Sequence, residues 1–361
     1  MSHDDDLQAL RTRIDALDEQ IQALINERAR CAQDVAKVKR AAGESEDFYR
    51  PEREAEVLRR AAERNVGPLT DAALVRIYRE LMAACRSLEG PLRVAFLGPE
   101  GTFTEAATLK HFGHVLESVP LAAIDEVFRE VESGSVHYGV VPVENSTEGM
   151  INHTLDMFLG SPLRICGEIE LRVHQNLLGS EQATIAARRV YSHQQSFAQC
   201  REWLDAHLPH AERITVSSNA EAARRACDEP EALAIAGMAA AERYNLQVLA
   251  ANIEDKPDNT TRFLVIGRQQ VAPSSNDKTS LLVSTRNQPG ALHRLLAPLA
   301  QHGISMTRIE SRPSRQSTWD YVFFVDIEGH QQNPKVAQAL AALEQEAALF
   351  KVLGSYPAAV L

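Results

Sequence analysis

Residues Leu7 to about Ala42 contain neither Pro nor Gly, and apolar residues return at Leu7, Leu10, Ile14, Leu17, Ile21, Leu24, Ile25, Ala32 and Val35. Spacings of three and four draw a heptad-like seam along one long helix. A helix of this length exceeds the ordinary globular one and has to pack against something as long. A shorter helix is predicted from about Pro51, a favourable first helical residue, to Asn65. A third runs from about Asp71 to Leu88, with Thr70 as its N-cap. Three helices, one of them very long, do not close a core alone, so a helical dimer is the natural solution.

Cations interrupt this seam. At 100° per residue Arg28 and Lys39, eleven positions apart, fall within about 20° of each other, inside the apolar stripe. Arg11 lies at its border. A buried cation is costly without an anionic partner. Two readings stay open: internal salt bridges, for example with Glu54, or a pocket for a small dianion, with Arg53 and Glu54 on the next helix.

A second feature is Gly139 to Gly149, GVVPVENSTEG. Its first half is short, apolar and β-branched, as in a strand buried on both faces. Its second half, from Glu144, is polar, and a periodic segment of Ile151, Leu155, Phe158 and Leu159 follows. Strand, polar turn and helix place these groups at the carboxyl edge of a parallel sheet, where open α/β sheets bind ligands. Residues 92–113 repeat the pattern: strand Leu92–Gly98, turn Pro99-Glu100-Gly101-Thr102, then helix. That suits an anion, but the spacing is neither GxGxxG nor a P-loop, so nucleotide binding is not supported. A long alternating run, Leu163–Leu178, leaves this lobe for a second small α/β unit, and the chain returns through Ile253–Asp255 to Asn259–Ile266. Two lobes joined by two crossovers make a cleft. After the polar linker 271–277, strands and helices follow in the order βαββαβ, the ferredoxin-like arrangement.

The formal net charge of -11 disfavours nucleic acid, and residues 1–90 hold 15 Lys/Arg against 18 Asp/Glu. Five scattered cysteines without CxxC spacing fit free thiols in a reducing compartment. MSHDDD is no signal peptide and no apolar run approaches a membrane span, so a cytoplasmic protein without membrane or nucleic-acid partners is expected. No metal or other cofactor is implied: His111-Phe112-Gly113-His114 sits at a helix end, where His complements the dipole, and adjacent Ser192 and His193 point to opposite faces of a strand.

Leu10-Arg11, Asp15, Leu17-Asp18, Glu27-Arg28, Lys39 and Arg50-Pro51-Glu52-Arg53-Glu54 resemble the all-helical chorismate mutase family over residues 1–90. The resemblance implies an intertwined dimer. Arg11 is lent by the partner's long helix, Arg28, Arg53 and Glu54 bind substrate, Lys39 is catalytic, and Cys85 stands where some members carry Ser. Arg50 replaces a common Asp. Glu89 occupies the place of a Gln that donates to the substrate's ether oxygen; a carboxylate cannot donate, whereas a protonated Glu can. GPEGTFT, VPVENSTEG, YSHQQSFAQC and NTTRF, in that order, are similar to prephenate dehydratase over 92–270, with lobes 92–170 plus 255–270 and 171–254. There the resemblance makes Thr261 catalytic and puts Asn145, Ser192 and Gln199 in the same site, with Thr102, Thr147 and Arg262 as neighbours, Arg262 for a substrate carboxylate. Asn287, Gly290, Ala291 and Leu292, with Glu310, Ser311 and Arg312, resemble the effector segments of an ACT domain (277–361), which bind phenylalanine at a dimer interface.

The expected architecture is therefore multidomain: an all-α N-terminal helical dimerisation domain, a two-lobed, periplasmic-binding-protein-like α/β domain, and a C-terminal βαββαβ ferredoxin-like ACT domain. The expected function is bifunctional, chorismate to prephenate and then prephenate to phenylpyruvate, with phenylalanine as effector and a homodimer as assembly. The alternatives are a ligand-sensing regulator with a two-lobed effector domain, or a binding protein that has lost its chemistry.

Overall fold

A computed structural model describes residues 3–43, 49–147, 149–183, 187–286, 288–313 and 321–360. The chain divides into two compact units: Met1–Arg50, Leu58–Leu92 and Phe112–Glu117 in the first, and Pro51–Val57, Arg93–His111 and Ser118–Leu361 in the second. The dehydratase-like and ACT-like segments thus share one unit.

The helices are α1 (His3–Ala41), α2 (Pro51–Glu63) and α3 (Asp71–Ser87). Asp4, Asp5 and Asp6 open α1 and Lys39 and Arg40 close it, each sign complementing the helix dipole. Pro51 begins α2, and Thr70 caps α3 by accepting the Ala73 N–H at 3.3 Å. In the first unit α1 packs on α3, yet Ala36 is the one residue of α1 that is buried. The seam stays bare in the single chain: Leu24 is 65% and Val38 69% exposed. The core of this unit gathers around Arg86, which donates to the Phe112 carbonyl at 2.7 Å and lies 5.2 Å from the centre of the Tyr49 ring. His114 pairs with Glu80 at 2.7 Å. That contact holds the Glu80 carboxyl below its usual range although burial works the other way.

The second unit opens with a mixed sheet built from β1 (Arg93–Leu97), β2 (Glu117–Leu121), β3 (Tyr138–Asn145), β4 (Gly149–Met150), β5 (Arg164–Arg172) and the returning β11 (Thr260–Gly267). Its order is β2-β1-β3-β11-β5, with β4 on β3. Helices α4 (Phe103–Phe112), α5 (Ile124–Ser133) and α6 (Asn152–Gly160) connect these strands. The sheet is not all parallel: β3 pairs in parallel with β1 but antiparallel with β11. Antiparallel pairing sets the start of β11 against the end of β3, with Thr261 opposite Asn145. Two motifs more than a hundred residues apart meet for that reason.

The alternating run that reads as one strand is two. It breaks after Arg172 and resumes as β6 (Asn176–Gly179) in a second sheet. That sheet has the order β10-β6-β9-β7-β8, from β7 (Arg189–His193), β8 (Glu212–Val216), β9 (Leu233–Ala236) and β10 (Gln247–Ala250), with helices α7 (Gln194–Gln199), α8 (Arg201–His207), α9 (Asn219–Asp228) and α10 (Met238–Arg243). The two crossovers are stitched together. Val173 N–H donates to the Asn259 carbonyl and Ile253 N–H to the Gln175 carbonyl, both at 2.8 Å.

The βαββαβ segment forms β12 (Asp277–Ser284), α11 (Ala291–Gln301), β13 (Met306–Pro313), β14 (Tyr321–Glu328), α12 (Pro334–Glu346) and β15 (Leu349–Pro357), in the sheet order β13-β14-β12-β15. One side of this sheet carries Leu281, Val283, Val325 and Ile327 against its own helices. The other carries Leu282, Phe324, Leu353 and Tyr356 into the core that holds Val141, Leu155 and Phe158 of the first lobe. At Gly354 a Cβ would overlap the Ile165 backbone, so only glycine lets β15 lie on β5 here.

Candidate functional site

The strand ends at Asn145 and Thr261 anchor a hydrogen-bond network whose direction is fixed by backbone donors. The Thr147 N–H, which can only donate, meets Asn145 Oδ1 at 3.0 Å. Asn145 Nδ2 therefore faces the opposite way and spends its two hydrogens on Thr261 Oγ1 at 2.9 Å and Asn259 Oδ1 at 2.8 Å. Asn259 Nδ2 in turn donates to Gln199 Oε1 at 3.0 Å. That oxygen also accepts from Gln175 Nε2 at 3.2 Å. Gln175 reaches Ser196 Oγ at 3.0 Å, and Ser196 meets Asn219 Nδ2 at 2.8 Å. The far end is pinned by a second backbone donor, the His193 N–H on Asn219 Oδ1 at 3.1 Å.

Thr261 Oγ1 accepts from Asn145, so its own hydrogen is directed to another acceptor. Thr261 is 9% and Asn145 7% exposed. Thr147, Gln199 and Asn259, all in the same network, line a cavity of about 680 Å³ together with His193, Arg201, Glu254, Asp255 and Lys256. Glu254 holds the crossovers as well: it accepts the Gln175 N–H at 2.9 Å and pairs with His174 Nδ1 at 2.9 Å. Burial first, then Asp255 and Glu254, pushes the Cys200 thiol up, so it stays protonated.

Of the dehydratase-like residues predicted, Thr261, Asn145 and Thr147 are joined directly, and Gln199 through Asn259. Ser192 is fully buried; its Oγ lies 3.2 Å from Asn219 Oδ1 and 3.3 Å from the Ile235 carbonyl, so it acts on the network through Asn219. Thr102 caps α4, with Oγ1 3.4 Å from the Glu105 N–H and 3.3 Å from the Leu97 carbonyl. Asn259, Gln175, Ser196 and Asn219 escaped the sequence reading. Asn259 and Ser196 sit inside the motifs named above, but nothing in one sequence says that three amides and a hydroxyl from four segments converge.

Arg262, expected to hold a substrate carboxylate, stands apart from this network. It follows Thr261 on a strand and so leaves by the opposite face. There Nε meets Glu168 at 2.9 Å, Nη1 meets Asp326 at 2.7 Å and Nη2 meets the Tyr356 hydroxyl at 3.0 Å. Three of its five N–H donors are thus engaged within the chain, on the face of the sheet away from Thr261, and the side chain is 11% exposed. Lys278 also pairs with Glu168, at 2.7 Å. The acids hold Arg262 firmly protonated against the cost of burial, and burial keeps the Tyr356 phenol protonated.

Arg312 is likewise committed within the chain, to Asp156 of α6 at 3.0 Å. It lies on the half-buried face of β13 with Glu310, while Ser311 is exposed. Gly290, at φ 73°, caps α11, Ala291 is buried and Leu292 is 38% exposed. Asn287 lies outside the described residues.

In the first unit, no side-chain hydrogen bond or ion pair ties Arg11, Arg28 or Lys39 to another described residue. Arg28 and Lys39 are half-buried and Arg11 is exposed. Lys39 borders an open groove of about 350 Å³ with Cys31, Asp34, Val35 and Val38. Arg40 Nη2 donates to the Glu89 carbonyl at 2.5 Å, tying the end of α1 to the end of α3 and setting Lys39 and Glu89 at one end of the unit. Cys85 is buried in α3. Arg53 and Glu54 belong to the second unit, where Arg53 pairs with Glu56 at 3.1 Å.

Three families match the chain: chorismate mutase type II over residues 10–90, prephenate dehydratase over 94–271 and the ACT domain over 279–345. A bifunctional chorismate mutase/prephenate dehydratase of Stutzerimonas stutzeri is 59% identical over 365 residues, all of both chains being covered. One of Pseudomonas aeruginosa is 58% identical over the same extent. Among solved structures, a prephenate dehydratase of Arthrobacter aurescens in complex with L-Phe is similar at a TM-score of 0.69 and 35% identity, over 74% of this chain and 90% of that one.

Proposed function

The chain belongs to the bifunctional chorismate mutase/prephenate dehydratase family and is an enzyme of both reactions, and we propose that Thr261 is the proton donor of the second. Prephenate loses carbon dioxide and its ring hydroxyl as the ring becomes aromatic. The departing hydroxyl needs a hydrogen bond or a proton as its bond to carbon breaks. The observation that carries this reading is the direction of the network. Asn145 donates to Thr261 Oγ1, which leaves the threonine hydrogen for an acceptor outside the protein. Accepting that bond also makes Oγ1 a better donor, because hydrogen bonds in a chain polarise one another. Gln199 and Thr147 at the cavity wall orient the substrate. The test is Thr261→Ala assayed by ultraviolet absorbance with prephenate and with chorismate: dehydratase turnover is lost while mutase turnover persists. Near-normal dehydratase activity overturns the role.

The mutase step needs no nucleophile. Arg28 and Lys39, with Arg11 lent by a second copy, would hold the dianion of chorismate in its reactive geometry and meet charge growing on the ether oxygen. Their lack of acidic partners among the described residues supports this. The bare apolar seam of α1 supports a dimer in which two long helices cover each other. Glu89 would donate to the ether oxygen in its protonated form. Phenylalanine would bind the ACT domain through Gly290–Leu292 and Glu310–Arg312 at an interface between copies and inhibit the dehydratase. The enzyme would work in the cytoplasm; no described helix is long and apolar enough to cross a membrane.

A further inference from the structure

The Asn145–Thr261 pair has a neighbour that faces the other way. One step along the same ladder, Glu144 of β3 stands opposite Arg262 of β11. Their side chains leave by the reverse face of the sheet, and both are caught there by the ACT sheet. Arg308 of β13 is ion-paired with Glu144. Asp326 of β14 and Tyr356 of β15 take Arg262. Ser280 of β12 binds those two together, 2.5 Å from Asp326 Oδ1 and 2.7 Å from the Tyr356 hydroxyl. Three strands of the ACT sheet thus reach one rung of the catalytic lobe, and β12 braces two of the contacts through Ser280. Arg308 shares the half-buried face of β13 with Glu310 and Arg312, and Arg312 grips α6, the helix that follows the Asn145 turn.

We propose that the ion pairs Arg308–Glu144 and Arg262–Asp326 transmit the state of the ACT sheet to the Asn145–Thr261 pair, so that displacing β13 and β14 tilts this rung and misaims the Thr261 hydroxyl. The inference rests on the reading of the ACT domain as the phenylalanine site. Partly buried ion pairs enforce such coupling because a charge cannot be left behind in a low-dielectric interior without heavy cost, so each side chain follows its partner. Arg308 Nη1 is buried with no hydrogen-bond partner among the described residues, which leaves Glu144 as the anchor of this guanidinium. The rung also has room to adjust. The β3–β11 register shifts between Arg262 and Phe263, and such an irregularity bends a strand locally. Coupling of this kind is reciprocal, so prephenate weakens phenylalanine binding by the factor that phenylalanine weakens prephenate binding.

The test uses the full chain with Arg308→Met, which keeps the length and apolar body of the side chain and removes its charge. Dehydratase turnover without phenylalanine is expected to stay within about twofold of wild type, while the half-inhibiting phenylalanine concentration rises at least about fivefold. Calorimetry should still register phenylalanine binding, and Arg308→Lys should recover part of the inhibition. Inhibition of Arg308→Met at the wild-type concentration overturns the inference, and so does inhibition lost only because phenylalanine no longer binds. A wild-type enzyme indifferent to phenylalanine would instead remove the regulatory reading underneath. Should Arg308→Met not fold, hydrogen exchange on the wild type decides. Phenylalanine is expected to change protection of the amides in β3 and at the start of β11; inhibition with unchanged exchange there refutes the route.

Discussion

Arg28 and Lys39 in the helical unit stand half-buried without an acidic partner among the described residues, beside an apolar seam in which Leu24 is 65% exposed. Arg262 in the second unit has all its nitrogens engaged by Glu168, Asp326 and Tyr356, and the neighbouring Thr261 completes a network of neutral amides that closes within one chain. A cation near apolar surface has two stable outcomes. A protein carboxylate neutralises it, or the site is left for an anion that arrives from outside. Arg262 in the dehydratase unit took the first course, whereas the Arg28 and Lys39 side chains meet no carboxylate among the described residues. Sequence proximity to Thr261 therefore did not decide how Arg262 is neutralised; the acids within reach did.

This contrast can be broken at several points. Thr261→Ala carries the largest effect, a loss of roughly 10²- to 10⁴-fold in dehydratase turnover with the mutase spared. Leu24→Glu should cost the mutase on the order of a hundredfold by charging the seam against its own copy, with little change in the dehydratase. Measured against protein concentration, mutase specific activity of the wild type should fall on dilution while dehydratase activity does not; equal behaviour of the two would erase the contrast. Arg262→Met leaves the buried Asp326 without its cation, while Glu168 keeps Lys278, and should destabilise the second unit by about 3 kcal/mol, read by thermal unfolding. A neutral result there would mean that Asp326 is solvated.

Two smaller effects sharpen the picture through pH. If a protonated Glu89 donates to the ether oxygen, raising the pH removes the donor, so mutase turnover falls as pH rises, and Glu89→Gln, which keeps its donor, flattens the profile. A flat wild-type profile ends that role. Hydrogen bonds from Arg224 and Arg225 hold the Glu221 carboxyl down at about 2. Because the folded value lies below the unfolded one, this contribution is present above the ordinary carboxylate range and is lost as pH falls toward 2. Both arginines are about half exposed, so solvent screens the pairs and Glu221→Gln should cost less than about 1 kcal/mol in acid unfolding.

Much of this molecule was legible in the chain itself. The long helix, the strand-turn-helix at Gly139–Gly149 and the βαββαβ tail follow from periodicity and turn residues, and the structure has each of them. The run Leu163–Leu178 shows the limit. Alternation continues through Val173-His174-Gln175, but the backbone there pairs with the other crossover instead of a sheet neighbour. Likewise, the parallel sheet expected around β3 is mixed, because local pattern does not say which strand will lie alongside.

What the sequence determined alone is local and periodic: where helices begin, which positions are apolar, and that Arg28 and Lys39 fall on one line along α1. What only the tertiary structure decided is which polar groups meet. Asn145 and Thr261 came together because β11 returns antiparallel to β3, and Arg262, one residue on, was sent to the ACT sheet because a strand alternates its faces. A side chain's direction is set by its own residue's backbone, but its partner is supplied by a segment folded from elsewhere, and partners determine the energy of a buried charge.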